Sequence, residues 1–436
     1  MSQEYDPEKA FALNFIYLRV DGLWVAGMKN PILRFYAFGV LAVFAVLYFA
    51  FEVAFVAAIW GDVQAMVDCS FLLFTRIGQS VKLVNFLFRQ KHLERMFLQL
   101  KEPMFIPKRP KHFTVMKTAM TGVRRDTMIF YVFTVSTILC WAMLPLINKS
   151  EVKELPLMGW FPFNVTVSPA YEFAYIYQVT SVLLNACVNV MVDTLTSGLL
   201  ILMGAQIDMP KDNLLSLAND ISKMTQAEIA YVNSIKMYRS KLMFAISNKT
   251  VGMAESSPKY ELNDASETVN VANVCEATGY EDILHARIPA NIEHFTALVK
   301  FTNDVRGIFQ IGIMSQFLVS SVIICLTCYE LSLVSPNSME FASMLQYMVC
   351  MLFQIFCYCW HGNEIIEKSE LLSAPYESHW VPSSKKYKQS IQIMMTQMKT
   401  PLRLVVGGFF TLSIDTFFSI VKSAYSFYVV LKQMNE

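Results

Sequence analysis

Residues 32–60 read ILRFYAFGVLAVFAVLYFAFEVAFVAAIW, a stretch of 29 residues whose charged side chains are Arg34 and Glu52 alone. A helix needs roughly 20 mostly apolar residues to cross the hydrocarbon core of a bilayer, so this stretch is long enough to span a membrane. Six similar stretches follow it. The seven predicted spans are residues 32–60, 63–88, 127–148, 173–206, 307–334, 339–360 and 404–430. The sequence therefore predicts an all-α membrane protein with seven transmembrane helices.

Lysine and arginine are shared unevenly among the segments that connect these spans. The basic segments hold 30 of the 36 lysines and arginines: four in residues 1–34, ten in 89–126, ten in 207–306 and six in 362–403. By contrast, residues 149–172 contain two. Short loops rich in lysine and arginine stay on the cytoplasmic side. We therefore predict a cytoplasmic N-terminus and, after seven crossings, an extracellular C-terminus, which is the reverse of a G-protein-coupled receptor.

Composition excludes several other classes of protein. Apolar residues make up 54% of the chain and the mean hydropathy is +0.39, whereas soluble domains contain about 45–50% apolar residues. A net charge of +1 argues against a nucleic-acid partner. We expect the apolar spans to be surrounded by membrane lipid. Eight of the nine cysteines fall within predicted spans and none in a predicted extracellular loop, so no disulfide framework is expected.

Two sequons lie in the long loop that the charge distribution places outside the cell. They begin at Asn148 and Asn164. Because N-glycosylation acts on exposed loops of secreted or lumenal segments, we predict that the protein is a glycoprotein modified at these two asparagines.

The predicted organisation has six parts. Residues 250–288 hold seven acidic residues and two basic ones, a composition typical of disorder, and residues 387–399 form a basic amphipathic segment. The parts are a cytoplasmic N-terminal segment (1–31), helices one to four with the ligand-pocket region (32–206), a long cytoplasmic loop with a partly disordered insert at 250–288 (207–306), helices five and six (307–361), a cytoplasmic anchor helix (362–403) and the seventh helix (404–436).

Polar residues in the seventh span follow a helical spacing. Asp415, Ser419, Lys422, Ser426 and Gln433 are separated by steps of four, three, four and seven, which places them on one helical face. Val430 lies in the gap of this polar stripe. Such a face suits a water-filled pore, and it equally suits a polar seam packed against neighbouring helices of the same chain. Ionisable residues of the other spans, including Arg76, Lys82 and Asp193, are interpreted as side chains that reach the membrane surface near span ends.

Enzyme signatures are absent from the sequence. We find no zinc-protease, phosphate-loop or hydrolase motif. His361 and Glu364 are three residues apart on one predicted helical face, a spacing that metal ligands use, but they have no partner cluster and the six histidines are scattered. We expect no catalytic residues, no metal and no cofactor.

The C-terminal quarter carries motifs of a known family. Tyr358-Cys359-Trp360-His361-Gly362-Asn363-Glu364 resembles the Tyr-Cys-Trp-x-Gly-Asn-Glu run of insect odorant receptors, and Tyr376-Glu377-Ser378-x-Trp380 resembles the motif after it. Residues 410–426 are similar to the seventh-span signature of that family. Receptors of the related gustatory branch end in a characteristic motif, and Gln433 is the one residue of this chain that matches it. The resemblance favours an odour-tuned receptor over both a gustatory receptor and the shared co-receptor.

The resemblance implies an odorant-gated, non-selective cation channel at the plasma membrane of a sensory-neuron dendrite. It implies a heterotetramer with olfactory co-receptor subunits, in which the seventh helix of each subunit lines the pore. By alignment with the family, Val430 and Met434 fall at the hydrophobic gate, where methionine replaces the usual leucine. The polar stripe would then face the pore. The predicted pore and gate residues are Asp415, Ser419, Lys422, Ser426, Val430, Gln433 and Met434.

The resemblance also implies a pocket for a small, largely apolar volatile among spans two to six, in the outer half of the membrane. Such a pocket binds mainly by burial of apolar surface. The residues that the outer halves of these spans present as candidates are Phe71, Leu72, Thr75, Val135, Ile138, Leu139, Ala142, Tyr175, Val179, Leu183, Met344, Tyr347 and Met348.

Two other functions stay open at the level of the sequence. One is a seven-helix chemoreceptor of the G-protein-coupled type without its own pore, and the other is a gustatory receptor of the same superfamily. A transporter is disfavoured because the chain has no internal repeat. Accessibility of tags at the two termini separates the first alternative from the odorant receptor topology.

Overall fold

The computed structural model describes residues 5–25, 30–147, 155–215, 237, 268–370, 385–398 and 400–435. Two compact units make up the chain. The first consists of Met1–Gln206, Leu298–Lys368 and Leu402–Glu436, and the second of Ile207–Ala297 and Ser369–Pro401. All of the sites discussed below lie in the first unit.

Helices form most of the described structure. A short 3-10 helix, Pro7–Phe11, precedes α1. The α-helices are α1 (Ala12–Val20), α2 (Pro31–Ala58, with a π-helical stretch at Leu41–Leu47), α3 (Val63–Gln99), α4 (Pro110–Ile147), α5 (Ala170–Leu215), α6 (Thr268–Leu333), α7 (Met339–Ser369), α8 (Lys385–Met398) and α9 (Ile414–Asn435). Side-chain caps begin two of them: Asn30 accepts from the backbone N–H of Ile32, and Asp62 from that of Ala65.

Seven of the described helices are long and apolar enough to cross a membrane: α2 to α7 and α9. Their number and order confirm the seven predicted spans. In the most apolar 18-residue segment of α5, 83% of the residues are buried. In the corresponding segments of α2 and of α9, 11% of the residues are buried. The helix α5 is therefore the core of the first unit, whereas few residues of α2 and α9 are buried.

The N-terminal segment packs against the long helices of the first unit. Phe11 and Leu18 are fully buried, and the Phe11 and Phe97 rings lie 5.2 Å apart. The Asn14 amide donates to the Met191 carbonyl at 2.9 Å. This segment is therefore tied to α3 and α5.

The seventh helix begins later than predicted. The prediction of a helix over residues 404–436 is wrong for the first ten residues. In that part, Val405–Val406 and Phe410–Thr411 form an antiparallel hairpin. Gly407 and Gly408, with φ of +61° and +77°, make its turn, a backbone region open to glycine and strained for other residues. The helix α9 starts only at Ile414.

Two other predicted boundaries change. Residues 268–288, predicted to belong to a partly disordered insert, form the start of α6, while 250–267 lie outside the described residues. The predicted anchor helix at 362–403 is not one continuous helix, since α7 ends at Ser369 and α8 starts at Lys385. Residues 371–384, which include the second family motif, lie outside the described part.

Candidate functional site

A cavity lies among α3, α4, α5 and α7. Each helix contributes residues three or four positions apart, which is the spacing of one helical face. The lining residues are Leu72, Thr75, Arg76 and Gln79 of α3; Phe130, Thr134, Thr137, Ile138 and Trp141 of α4; Val182, Ala186, Asn189 and Val190 of α5; and Tyr347, Cys350, Met351 and Gln354 of α7.

One end of the cavity is apolar and aromatic. The Tyr347 ring lies 5.5 Å from that of Phe71 and 5.3 Å from that of Trp141. Met351 and Ile323 complete this buried cluster. The side chains are large and closely packed, so this end offers dispersion contacts to an apolar molecule.

Two hydroxyl groups near this end are already engaged with each other. The Thr75 hydroxyl donates to the Phe71 carbonyl at 2.7 Å and therefore accepts from the Tyr347 hydroxyl, 2.5 Å away. This bond joins α3 to α7 beside the cavity.

The other end of the cavity is polar. The Arg76 guanidinium donates to Glu52 at 3.3 Å and to the Gln79 amide oxygen at 3.1 Å, and it lies 5.1 Å from the centre of the Tyr48 ring. The Gln79 amide nitrogen donates to the Asn185 carbonyl at 2.6 Å. The positive charge is therefore compensated within the chain, as a buried charge requires.

A second buried ion pair adjoins the polar end. The Lys82 ammonium donates to both oxygens of Asp193, at 2.9 and 3.0 Å. Asp193 also accepts from the Tyr358 hydroxyl at 2.6 Å and from the amide of Gln354, which lines the cavity. This network connects the cavity to the middle of α5 and α7.

These pairs correct the prediction that the ionisable residues reach the membrane surface. The side chains of Lys82 and Asp193 are each 3% exposed, and those of Arg76 and Glu52 are 9% and 7% exposed. Each charge has its partner on a different helix, so the chain buries charges by pairing them instead of extending them to water.

Four of the thirteen predicted ligand residues line the cavity: Leu72, Thr75, Ile138 and Tyr347. Phe71 packs directly behind the lining, and Leu183 packs in a neighbouring apolar cluster. The side chain of Leu139 is 56% exposed and lies on the outer face of α4. The remaining predicted residues, Val135, Ala142, Tyr175, Val179, Met344 and Met348, are partly buried without lining the cavity.

The cavity extends beyond the predicted set of residues. The lining residues outside that set include Arg76, Gln79, Asn189 and Gln354. Arg76 directly follows Thr75, and the other three lie one or two turns further along the same helices. Their spacing from Thr75 and Tyr347 is helical, so extending the predicted faces would have found them. The depth of the cavity depends on packing between helices and has no signal in the sequence.

The polar stripe of α9 is exposed. Asp415, Ser419, Lys422, Ser426, Val430 and Gln433 are all exposed in the single chain, whereas Ile420 and Ala424 on the opposite face are buried. On that buried face, the Phe417 ring lies 5.5 Å from that of Phe356 in α7. The stripe is thus not covered by the described helices of its own chain. The side chain of Met434 lies outside the described part.

The histidine considered as a metal ligand pairs with carboxylates. His361 lies 3.4 Å from Asp126 and 3.5 Å from Glu364. Among the described residues, no group of three histidine, cysteine or acidic side chains is arranged to hold a metal ion. The pairing ties α7 to α4.

Comparison with known proteins agrees with this architecture. The family model described as 7tm Odorant receptor matches residues 62–425. This chain belongs to the odorant receptor family. The prediction from the C-terminal motifs is therefore confirmed, and the protein is a multi-pass membrane protein of a receptor family, not a family of enzymes.

Individual odorant receptors match over most of their length. Odorant receptor Or1 of Anopheles gambiae is 23% identical over 99% of this chain and 96% of its own. The odorant receptor coreceptor of the same mosquito is 21% identical over 76% of each chain. The insect olfactory receptor OR5 of Machilis hrabei, solved in complex with eugenol, superposes with a TM-score of 0.73 at 15% identity and covers 98% of both chains. The last match shows a shared fold.

Proposed function

We propose that this odorant receptor is an odour-tuned subunit of a ligand-gated, non-selective cation channel. The observation that carries the proposal is the cavity between four candidate spans, which is mostly lined by apolar side chains and carries a few polar groups, as small-molecule sites do. A small volatile binds there, and the pore opens along α9. The ligand residues of this proposal are those that line the cavity, among them Leu72, Thr75, Ile138 and Tyr347.

The membrane orientation follows from the distribution of basic residues. The loops that carry most of the lysines and arginines lie in the cytoplasm together with the N-terminus, and the C-terminus is extracellular. The apolar end of the cavity then faces the outer leaflet, and the protein resides in the plasma membrane of a sensory-neuron dendrite.

Exposure of the stripe supports a pore shared by several chains. A helix that exposes Asp415, Lys422 and Gln433 to a lipid bilayer is unstable unless these groups meet water or another subunit. Similarity to named co-receptors supports a heterotetramer with co-receptor subunits. Val430 and Met434 form the hydrophobic constriction that excludes water from the closed pore.

Recordings with a cysteine series test the proposal. Expressed with a co-receptor, the chain gives odorant-evoked cation currents, and expressed alone it gives little current. A charged thiol reagent blocks Ser426→Cys channels only in the presence of odorant. The matched control is Val421→Cys on the packed side of α9, which stays insensitive, as does the unsubstituted chain with its native cysteines. Equal block of both variants without odorant contradicts the pore assignment, and currents that need a G protein contradict the channel.

A further inference from the structure

We infer that the cavity takes an apolar ligand that carries a single hydroxyl group, an alcohol or a phenol, and that Asn189 binds that hydroxyl. The inference rests on the proposed function and specifies the chemistry of its ligand. Asn189 lies on α5 and lines the polar end of the cavity.

The hydroxyl groups at the other end leave little capacity for a ligand. Thr75 and Tyr347 bond to each other, and Thr75 donates its own proton to the Phe71 carbonyl. Thr137 donates to the Phe133 carbonyl at 2.9 Å. These groups shape the wall of the cavity, and none needs a ligand to complete its donor bond.

Arg76, Gln79 and Gln354, the other charged and amide groups of the polar end, have partners within the chain. Arg76 is paired with Glu52 and Gln79, so the cavity has no uncompensated positive charge for a carboxylate ligand. Gln354 donates to Asp193 and accepts from Gln316 at 2.8 Å. A ligand that carries a full charge would be buried without a counter-charge, which is costly.

Asn189 is the exception among these amides. Its side-chain oxygen is buried and has no hydrogen-bond partner in the part of the chain that the structure describes. A buried acceptor without a donor costs free energy that a ligand can recover by supplying one. An ether, ester, ketone or hydrocarbon has no such donor. A hydroxyl has one and can also accept from the amide nitrogen, so it matches either orientation of the Asn189 amide.

Matched pairs of ligands test this inference in the full receptor expressed with its co-receptor. The probes are phenylethanol, cyclohexylethanol and nonanol, each compared with its own methyl ether, which keeps the apolar body and removes the donor. We expect the unsubstituted receptor to respond to an alcohol at a concentration about tenfold or more below that of its ether. In Asn189→Leu this ratio falls close to one, because the alcohol loses potency while the ether keeps it.

Two further variants show that the effect is specific to the hydrogen bond. Asn189→Ser retains a small polar group and should keep part of the preference for alcohols. Ala186→Val, one turn away on the same wall, narrows the cavity without changing its polarity and should shift alcohol and ether together. Responses to the ethers in Asn189→Leu cells show that this variant is folded and at the surface.

The outcomes separate the inference from the proposed function. Ethers that are as potent as alcohols in the unsubstituted receptor, or an unchanged ratio in Asn189→Leu, overturn the inference and leave the channel intact. A receptor that gives no current with any probe, and none with a broad odorant panel, overturns the proposed function and the inference with it.

Discussion

Lys82 and Asp193 show at the scale of single residues how this chain places charge in its core. The ammonium donates to both carboxylate oxygens, and both side chains are almost completely buried. Neither charge has access to water, so each depends on the other for its compensation. Removal of one partner leaves the other as an uncompensated buried charge.

We therefore expect Lys82→Met to lower the free energy of unfolding by about 3–5 kcal/mol. The measurement is the thermal midpoint of the purified receptor in detergent, followed by fluorescence-detected size-exclusion chromatography. The matched control is Lys101→Met, which breaks the exposed pair with Glu8 at 2.9 Å and should cost less than about 1 kcal/mol. A similar loss of stability in both variants would show that the buried pair stabilises the fold no more than the exposed pair does.

Asp21 is a buried carboxyl group of another kind. It is 3% exposed, and neither of its oxygens has a hydrogen-bond partner among the described residues. Burial raises the pKa of Asp21 from 3.8 to about 7. The folded state therefore keeps the proton up to about neutral pH, whereas the unfolded chain releases it near 3.8, so this residue makes folding less favourable as the pH rises between these values.

The variant Asp21→Asn removes this pH dependence. Because asparagine stays neutral, we expect the variant to have a higher thermal midpoint than the unsubstituted receptor at about pH 8, and nearly the same midpoint at about pH 4. Thermal midpoints of both proteins across this range provide the measurement. A difference that is constant with pH would mean that Asp21 is not the titrating group.

At the scale of elements, the hairpin before α9 depends on a close contact with α7. A Cβ atom placed on Gly362 would overlap the Leu412 side chain and lie 2.6 Å from the Leu412 carbonyl oxygen. Leu412 is fully buried and lies two residues before the start of α9. Glycine in the Trp-His-Gly-Asn-Glu motif therefore sets how closely α7 approaches the base of the seventh helix.

We expect Gly362→Ala to destabilise the receptor by about 1–3 kcal/mol, the usual cost of overpacking, and to reduce odorant-evoked current because the base of α9 moves. The control is Gly307→Ala in α6, where an added Cβ meets no atom within 4 Å and where alanine favours the helix by up to about 1 kcal/mol. Thermal midpoints and currents are compared for the two variants. Equal thermal midpoints and equal currents in the two variants would show that the contact between Gly362 and Leu412 does not cause the effect.

At the scale of the whole molecule, the orientation in the membrane is open to a direct measurement. We expect a tag at the C-terminus to be labelled on intact cells and a tag at the N-terminus to be labelled only after permeabilisation, because the basic loops hold the N-terminal side in the cytoplasm. Labelling of an N-terminal tag on intact cells contradicts this topology and the pore assignment together.

The loop before α5 provides an independent reporter of the same orientation. Asn164 is exposed, and its side-chain oxygen accepts from the backbone N–H and the hydroxyl of Thr166, at 2.9 and 2.7 Å. We expect Asn164→Gln to remove a glycan that a glycosidase also removes, seen as a shift in electrophoretic mobility. Asn148, the other predicted site, lies outside the described residues. A third sequon, Asn248-Lys249-Thr250, lies in the loop assigned to the cytoplasm, and glycosylation there would argue for the reverse orientation.

The sequence by itself determined the number and order of the spans, the helical face that carries Asp415, Ser419 and Lys422, and the family. Each of these depends on local information. Hydropathy over roughly 20 residues identifies a span, helical spacing of three and four assigns a face, and the family motif at Tyr358 is a continuous run of residues.

Only the tertiary structure decided which buried groups meet. Lys82 and Asp193 are separated by 111 residues, and nothing in the local pattern around either one indicates the other. The same holds for the depth of the cavity, for the unpaired oxygen of Asn189 and for the contact of Gly362 with Leu412. Hydropathy describes how each helix meets its surroundings on average, whereas pairing and cavity shape depend on the relative rotation and depth of helices packed side by side.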